Sequence, residues 1–270
     1  MQPIVILEFF SKYINSQLGI RYSENNYFQL QNRLEEIAKI LGIQNLETLY
    51  QNAQIGIDGE FKRALLDSAT NNETSFFRDE KVFYAIENHV LKLLMDQNVE
   101  CRIWSAACST GQEAISLTIL LLEYFEKVNA RINFKILGTD ISQRVLTKAT
   151  LGVYSELEIN RGLPENLRNK YFHLNSKQGW CRNAEISAPI DFKSLNLKDD
   201  FTFSDPFQLI LCRNVLIYQD IEGKKSILTK ITNSLASGGF LILGSGESLF
   251  GLSEDYVQLF IDGAVLYQKK

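Results

Sequence analysis

Cysteine and histidine are scarce in this chain, with 4 cysteines and 2 histidines among 270 residues. The cysteines, Cys101, Cys108, Cys181 and Cys212, form no C-x-x-C pair. This spacing disfavours both a zinc site and a disulfide framework, and it is typical of proteins in reducing compartments. We therefore expect no bound metal and a cytoplasmic location.

Long apolar runs and an excess of basic residues are also missing. The longest apolar stretch, Ala114–Phe125, has polar interruptions and is too short to span a bilayer. The first residues, Met1 to Val5, lack the basic region of a secretory signal. The formal net charge is −4 at pH 7, whereas nucleic-acid affinity depends largely on Lys and Arg. We expect neither membrane insertion nor a nucleic-acid partner.

The residues that are present favour a folded chain with two parts. Apolar residues make up 45% of the sequence, which is enough for a substantial core. Residues 1–70 show the i, i+3, i+4, i+7 spacing of amphipathic helices, and we predict an all-helical N-terminal domain there. One example of this spacing comprises Leu34, Ile37, Ala38 and Leu41. This domain carries six basic and eight acidic residues, so it is not a basic arm.

Strand and helix patterns alternate over residues 71–270, which predicts an α/β domain with a parallel sheet. The predicted helices are 79–96, 112–126, 142–150 and 220–236. The predicted strands are 101–106, 133–139, 190–195, 207–212 and 239–244, followed by an antiparallel last strand at 263–267. Residues 151–190 interrupt the alternation, and we predict a loop there that leads into a small antiparallel β insertion at 171–190.

The most informative motif is the small-residue turn Cys108–Gly111, between an apolar strand and an apolar helix. Open α/β sheets approach nucleotide-like ligands through such turns, at the carboxyl ends of their strands. The further glycines of a pyrophosphate-binding G-x-G-x-x-G are missing, which disfavours a dinucleotide-dependent oxidoreductase. We predict a nucleoside ligand without phosphates, such as S-adenosylmethionine, with Gly111 at its rim. The alternative is an ordinary tight connection.

Asp140 follows the apolar strand Phe134–Leu137. An acidic residue at the end of the second strand can accept hydrogen bonds from both hydroxyls of a ribose. The alternative is a helix N-cap, although Ser142 is an equally good candidate for that position.

The segment Asn71–Arg78 lies between the two predicted domains, a common location for ligand sites. Asn72, Thr74 and Arg78 offer an amide, a hydroxyl and a guanidinium. Arginine binds carboxylates as a rigid fork, which suits the amino-acid tail of S-adenosylmethionine. The alternative is a capped helix start with core phenylalanines.

Two further strand ends carry polar residues. The strand 207–212 is followed by Arg213 and Asn214, with Tyr218 one turn later. A doubly wound sheet places such residues over the carboxyl ends of its strands. The alternative is an exposed loop with a packing tyrosine. Asn196 and Leu197 follow another predicted strand and are a weaker signal by themselves.

Taken in order, these segments resemble the CheR-type chemotaxis receptor methyltransferases, from about residue 1 to residue 268. The matching segments are Asn72–Arg78, Trp104–Gly111, Thr139–Ile141, Gly152–Tyr154, Arg161–Leu163, Tyr171–Phe172, Asn196–Leu197 and Cys212–Tyr218. The family usually has Gly-Glu-Glu-Pro-Tyr after the turn, whereas this chain has Gly111–Ile115 with only Glu113 of the last four residues kept.

The resemblance implies a class I S-adenosylmethionine-dependent methyltransferase. This fold is a Rossmann-like doubly wound sheet with an antiparallel last strand, here with a helical N-terminal domain and a small antiparallel β insertion. The implied reaction is methyl transfer to glutamate side chains of chemoreceptors. The implied cofactor contacts are Asn72, Thr74, Arg78, Glu113, Asp140, Asn196, Leu197, Arg213 and Asn214. Arg78 and Tyr218 would flank the methyl-transfer site.

The implied partner is the cytoplasmic helical region of transmembrane chemoreceptors. Whether a receptor C-terminal peptide also docks at the β insertion stays open at this point. The scarcity of histidine agrees with the reaction, because a glutamate side chain is already ionised at pH 7 and needs no general base.

Two other functions stay open. One is a methyltransferase with another substrate, although Arg213–Leu216 replaces the Asp/Asn-Pro-Pro-Tyr/Phe loop of enzymes that methylate nucleic-acid amino groups. The other is a non-enzymatic S-adenosylmethionine-binding module of a signalling complex.

Overall fold

The computed structural model describes residues 3–97, 100–130 and 133–270. The first two residues of the predicted helical domain, Met1 and Gln2, lie outside these ranges. No helix within the described ranges is long and apolar enough to cross a membrane.

Four helices occupy the N-terminal region. They are α1 (Pro3–Leu18), α2 (Tyr27–Ile40), α3 (Leu46–Ile55) and α4 (Gly59–Ala69). Their apolar faces share one core, in which Phe10, Leu30, Leu34, Leu49 and Leu65 are fully buried. The helical spacing therefore predicted the buried face of this region correctly.

Seven strands form the main sheet. They are β1 (Cys101–Ala106), β2 (Phe134–Asp140), β6 (Ile190–Ser194), β7 (Phe207–Cys212), β8 (Leu235–Leu243), β9 (Tyr256–Ile261) and β10 (Ala264–Lys269). The spatial order is β6-β2-β1-β7-β8-β10-β9, and the first five strands are parallel. Strand β10 is antiparallel to both β8 and β9, so the prediction of an antiparallel last strand is confirmed. The central strands β1 and β7 are buried along nearly all their length, as expected for parallel strands covered on both faces.

Strand β9 was not predicted. It lies at the edge of the sheet, and its residues do not alternate between buried and exposed. Phe260 on this strand is 76% exposed. Apolar residues occupy both faces of this strand, including the exposed Val257 and Phe260, so the sequence lacks the polar–apolar alternation that marks a half-buried strand.

Helices cover the sheet. They are α5 (Glu80–Ala85), α6 (Leu91–Gln97), α7 (Gln112–Lys127), α8 (Gln143–Leu151) and α12 (Ile221–Ser234). A π-helical turn, Ile86–Val90, connects α5 to α6, so the predicted helix 79–96 is not regular along its length.

The small antiparallel sheet is larger than predicted. It has three strands in the order β3-β5-β4, namely β3 (Val153–Tyr154), β4 (Phe172–Asn175) and β5 (Gly179–Arg182). Strand β3 lies outside the predicted insertion, and the predicted loop contains α9 (Glu156–Asn160) and α10 (Glu165–Tyr171), with α11 (Ala184–Ser187) after β5. A capping box between Ser155 and Glu158 starts α9, and this S-x-x-E pattern was readable in the sequence.

Glu123 on α7 fastens this subdomain to the main sheet. Its carboxylate accepts hydrogen bonds from the Lys170 ammonium and the Tyr171 hydroxyl, each at 2.6 Å. Burial raises the pKa of Glu123, but these two hydrogen bonds outweigh burial and leave the pKa below its ordinary value. The ionised form of Glu123 therefore stabilises the folded state.

Candidate functional site

One cleft opens where the carboxyl ends of β1, β2, β6 and β7 meet the N-terminal helical region. All but one of the eleven predicted site residues line it. They are Asn72, Thr74, Arg78, Glu113, Asp140, Asn196, Leu197, Arg213, Asn214 and Tyr218. The sheet topology brings these residues together from segments almost 150 residues apart, as expected for the strand ends of an open α/β sheet.

Gly111 is the exception, since it is not among the described residues that line the cleft. It adopts φ +90° just before α7, where an L side chain would be strained. A Cβ atom at this position would lie 3.0 Å from the Cβ of Ala149 and 3.1 Å from the Phe192 ring. The structure thus shows Gly111 packing the turn against α8 and β6.

Asp140 lies at the end of β2 and is 6% exposed. Its two carboxylate oxygens accept hydrogen bonds from the backbone N–H groups of Ser109, at 2.9 Å, and Ser142, at 3.0 Å. Burial raises the pKa of Asp140, while these backbone hydrogen bonds oppose the rise. A carboxylate has about four acceptor positions, so capacity remains for donors that enter the cleft. The N-cap of α8 is Ser142, whose hydroxyl accepts from Val145.

Arg213 is the centre of a buried ion-pair network, with a side chain only 3% exposed. Its guanidinium donates to the Glu113 carboxylate at 3.0 Å, to the Arg78 carbonyl at 2.8 Å and to the Asp79 carboxylate. The second Glu113 oxygen accepts from the Ser105 hydroxyl at 2.6 Å. Arg213 and Glu113 therefore tie β7, α7 and the Arg78–Asp79 turn into one unit.

Arg78 and Tyr218 line the cleft and are partly accessible to solvent. The Arg78 guanidinium donates to the Glu73 carbonyl at 3.0 Å. The Tyr218 hydroxyl accepts from the Asn71 amide at 3.2 Å, and the side chain is 38% exposed. Within the described part of the chain, neither side chain takes part in a buried ion pair.

The segment before α5 serves two purposes. The Asn72 carbonyl accepts from the Ser109 hydroxyl at 2.8 Å, which joins this segment to the turn after β1. Phe76 is fully buried and packs edge-on against Tyr154 and Phe172. The segment is thus a wall of the cleft, in agreement with the first interpretation, and its Phe76 belongs to the core, in agreement with the alternative.

Comparison with known proteins decides the family. Residues 72–264 match the family described as CheR methyltransferase, SAM binding domain. The chain belongs to the CheR methyltransferase family. The chain is 34% identical over 268 residues to the chemotaxis protein methyltransferase Cher2 of Pseudomonas putida, and also to chemotaxis protein methyltransferase 1 of Pseudomonas aeruginosa, with 97% of both chains covered in each case. A chemotaxis protein methyltransferase of Borreliella burgdorferi is 35% identical, over 89% of this chain and 87% of the relative.

This CheR family member is an S-adenosylmethionine-dependent methyltransferase, and the predicted fold class, enzyme class and cofactor are confirmed. The cleft fits that cofactor. Asp140 presents a buried acceptor, and Ile20, Ile141, Leu195 and Leu197 add apolar surface, which is the combination of groups that a nucleoside requires.

Sequence analysis did not foresee that α1 contributes to the cleft. Leu18 and Ile20 line it, and three side chains from the α/β region bind the terminal carbonyls of α1. The pairs are Lys198 with Asn15 and Ser16 at 3.0 Å, Asn196 with Gln17 at 3.0 Å, and Gln219 with Leu18 at 2.7 Å. The Asn15 carbonyl also accepts from the Gly19 N–H at 2.8 Å, whereas the last carbonyls of a helix generally lack a donor four residues on. The three side chains therefore supply donors to the carbonyls of Ser16, Gln17 and Leu18 at the end of α1. The Asn196 amide, predicted as a cofactor contact, is thus engaged with the helical region.

Sequence analysis also missed Glu247. Its carboxylate accepts hydrogen bonds from backbone N–H groups of the segment after β7, and this segment carries Asn214 and Tyr218. The sequence offered a signal for this residue, because Glu247 comes shortly after the end of β8. An acidic residue at the end of a strand was also the feature that identified Asp140 as a candidate.

Proposed function

We propose that this enzyme transfers the methyl group of S-adenosylmethionine to glutamate side chains of chemoreceptors in the cytoplasm, forming glutamyl methyl esters. The similarity to chemotaxis protein methyltransferases over nearly the full chain supports a receptor as the substrate. The partner would be the cytoplasmic helical region of those receptors.

The observation that carries this proposal is that each carboxylate lining the cleft is already engaged. Glu73 pairs with Arg161, Glu113 pairs with Arg213, and Asp140 accepts two backbone hydrogen bonds. Within the described part of the chain the cleft also has no histidine among its lining residues. The cleft is therefore poorly equipped to deprotonate an amine or a hydroxyl, and an anionic nucleophile suits it best.

A glutamate carboxylate is such a nucleophile, because its ordinary pKa is ~4.3 and it is ionised at pH 7. The reaction needs positioning and the exclusion of water rather than a base. We propose that Arg78 orients carboxylates through its guanidinium and that the Tyr218 hydroxyl donates a hydrogen bond beside the transfer site.

The remaining cleft residues would bind the cofactor, which supplies an activated methyl group. Asp140 would accept hydrogen bonds from the ribose hydroxyls. Asn72 and Thr74, in the segment that the Ser109 hydroxyl joins to the turn after β1, would contact the amino-acid tail. Asn214 and Leu197 would contact the rest of the nucleoside. Arg213 and Glu113 would act by fixing this geometry, since their charges already pair.

We further propose that residues 1–70 and 71–270 are separate domains.

We also propose that the β insertion binds a receptor C-terminal peptide. Strand β4 is an edge of the small sheet, and Leu174 on it is 61% exposed. Such an edge can accept an extended peptide by strand addition. A pull-down with receptor C-terminal peptides should retain the protein, and failure to retain it would remove this part of the proposal.

Incubation with methyl-labelled cofactor and receptor-bearing membranes tests the main proposal. We expect label on the receptor that mild base releases as methanol, because esters are base-labile. Base-stable label, or label on nucleic acid, would contradict the proposed substrate. Bound cofactor without transfer would contradict the reaction.

A further inference from the structure

We infer that Glu247 is a positioning residue for methyl transfer, acting through the turn that presents Asn214 and Tyr218 to the cleft. Glu247 is not among the described residues that line the cleft, so its effect on a reaction there must pass through other groups. The inference rests on the proposed role of Tyr218.

The Glu247 carboxylate accepts hydrogen bonds from four backbone N–H groups. One oxygen accepts from Asn214 at 2.8 Å and from Gly244 at 2.7 Å, and the other accepts from Val215 at 2.9 Å and from Ile217 at 3.1 Å. Three of these donors belong to the turn after β7 and one follows the neighbouring strand β8. A single side chain thus clamps two adjacent strand ends.

The residues around the Glu247 carboxylate leave little free space. Asn214 adopts a left-handed backbone with φ +60°, a conformation that costs energy for most residues and is tolerated by asparagine. A Cβ atom at Gly244 would lie 2.7 Å from the Asn214 amide and 2.8 Å from the Glu247 carboxylate. The backbone nitrogen of Asn214 would be 2.9 Å from the same Cβ atom, so any side chain at position 244 would displace the carboxylate or the turn.

Tyr218 is connected directly to this clamp. The Tyr218 N–H donates to the Val215 carbonyl at 3.2 Å, and the same Val215 is held through its own N–H by Glu247. The Glu247 hydrogen bonds thus set the backbone from which the tyrosine hydroxyl reaches the cleft. An ionised carboxylate suits this arrangement, because it only accepts hydrogen bonds and has about four acceptor positions.

The test replaces Glu247 by glutamine, which keeps the size but presents an amide NH2 group to two of the N–H donors. We expect kcat to fall about 10- to 100-fold, as for the loss of charge-assisted hydrogen bonds. We also expect backbone amide exchange in residues 213–219 to speed up at least about tenfold. The exposed Glu222→Gln is the matched control and should change neither quantity.

A double-mutant cycle separates positioning from general destabilisation. If Glu247 acts through Tyr218, Glu247→Gln should lower kcat much less in a Tyr218→Phe background than in the wild type. Equal losses in both backgrounds, or unchanged kcat or exchange in the single variant, would overturn the inference. Should Glu247→Gln fail to fold, Glu247→Asp, which keeps the charge but is one methylene shorter, replaces it in the cycle.

Failure of the proposed function is distinguishable from failure of this inference. If the wild-type enzyme does not label receptors, the proposed substrate is wrong. The exchange measurement needs no substrate, and unchanged exchange at residues 213–219 in the glutamine variant would then refute the role of Glu247 by itself.

Discussion

Replacing Asp140 by asparagine should weaken binding of S-adenosylhomocysteine, the demethylated product. The substitution keeps the size of the side chain but removes the charge, and it leaves one oxygen to accept hydrogen bonds. Asp140 is 6% exposed, so water can make few of the hydrogen bonds that the ribose hydroxyls would lose in the variant. A hydrogen bond to a buried charged group contributes about 1–3 kcal/mol, which corresponds to a rise in Kd of about 5- to 150-fold.

A weaker affinity alone would not identify the ribose, because Asp140 also accepts the backbone N–H groups of Ser109 and Ser142. The experiment therefore uses a second ligand, the 2′,3′-dideoxy analogue of S-adenosylhomocysteine. Titration calorimetry of both proteins with both ligands forms a cycle that isolates the contact between Asp140 and the hydroxyls.

The expected result is that wild-type protein binds the dideoxy analogue much more weakly than the parent ligand, and that the asparagine variant discriminates little between them. If the variant still prefers the parent ligand as strongly as the wild type does, the hydroxyls bind elsewhere. Asp140 would then serve only to fix the turn at Ser109.

Three other predictions concern stability, each measured as the free energy of unfolding in urea. Gly111→Ala should cost about 2–3 kcal/mol, because φ is +90° and the added methyl would lie 3.0 Å from Ala149; no loss would show that the turn relaxes freely. Lys198→Met should cost about 1–2 kcal/mol, because the Ser16 carbonyl loses its donor and the Asn15 carbonyl keeps only the Gly19 N–H, whereas the exposed Lys225→Met should cost almost nothing. Glu123→Gln should destabilise at pH 7, and its difference from wild type should shrink as the pH falls below ~4.3, since the lowered pKa of Glu123 stabilises only while the group is ionised; a difference independent of pH would contradict this.

The strand ends explain why so much of the cleft was predictable. Asp140, Arg213 and Asn214 each follow an apolar run, and a parallel sheet brings the residues after its strands to one edge. The pattern therefore located these residues without any knowledge of distances. It could not show that Arg213 pairs with Glu113, because that contact joins residues a hundred positions apart.

Other features depend on tertiary contacts that no local pattern encodes. Gly111 was predicted at the ligand rim, but its neighbours are Ala149 and the Phe192 ring, from elements that pack on the turn only in the folded chain. The binding of α1 by Lys198 likewise joins residues more than 180 positions apart. Strand β3 has two residues, too few for any periodicity to appear.

The bound end of α1 has a consequence for dissecting the enzyme. A fragment that begins after the helical region would lack the carbonyls of residues 15–18. Three side chains that line the cleft would then have no acceptor from α1, namely Lys198, Asn196 and Gln219. Those side chains could then adopt other rotamers beside the proposed nucleoside site, and the apolar surface that Leu18 and Ile20 contribute to the cleft would be lost. The cleft of such a fragment would therefore differ in lining and in shape from the cleft of the whole chain.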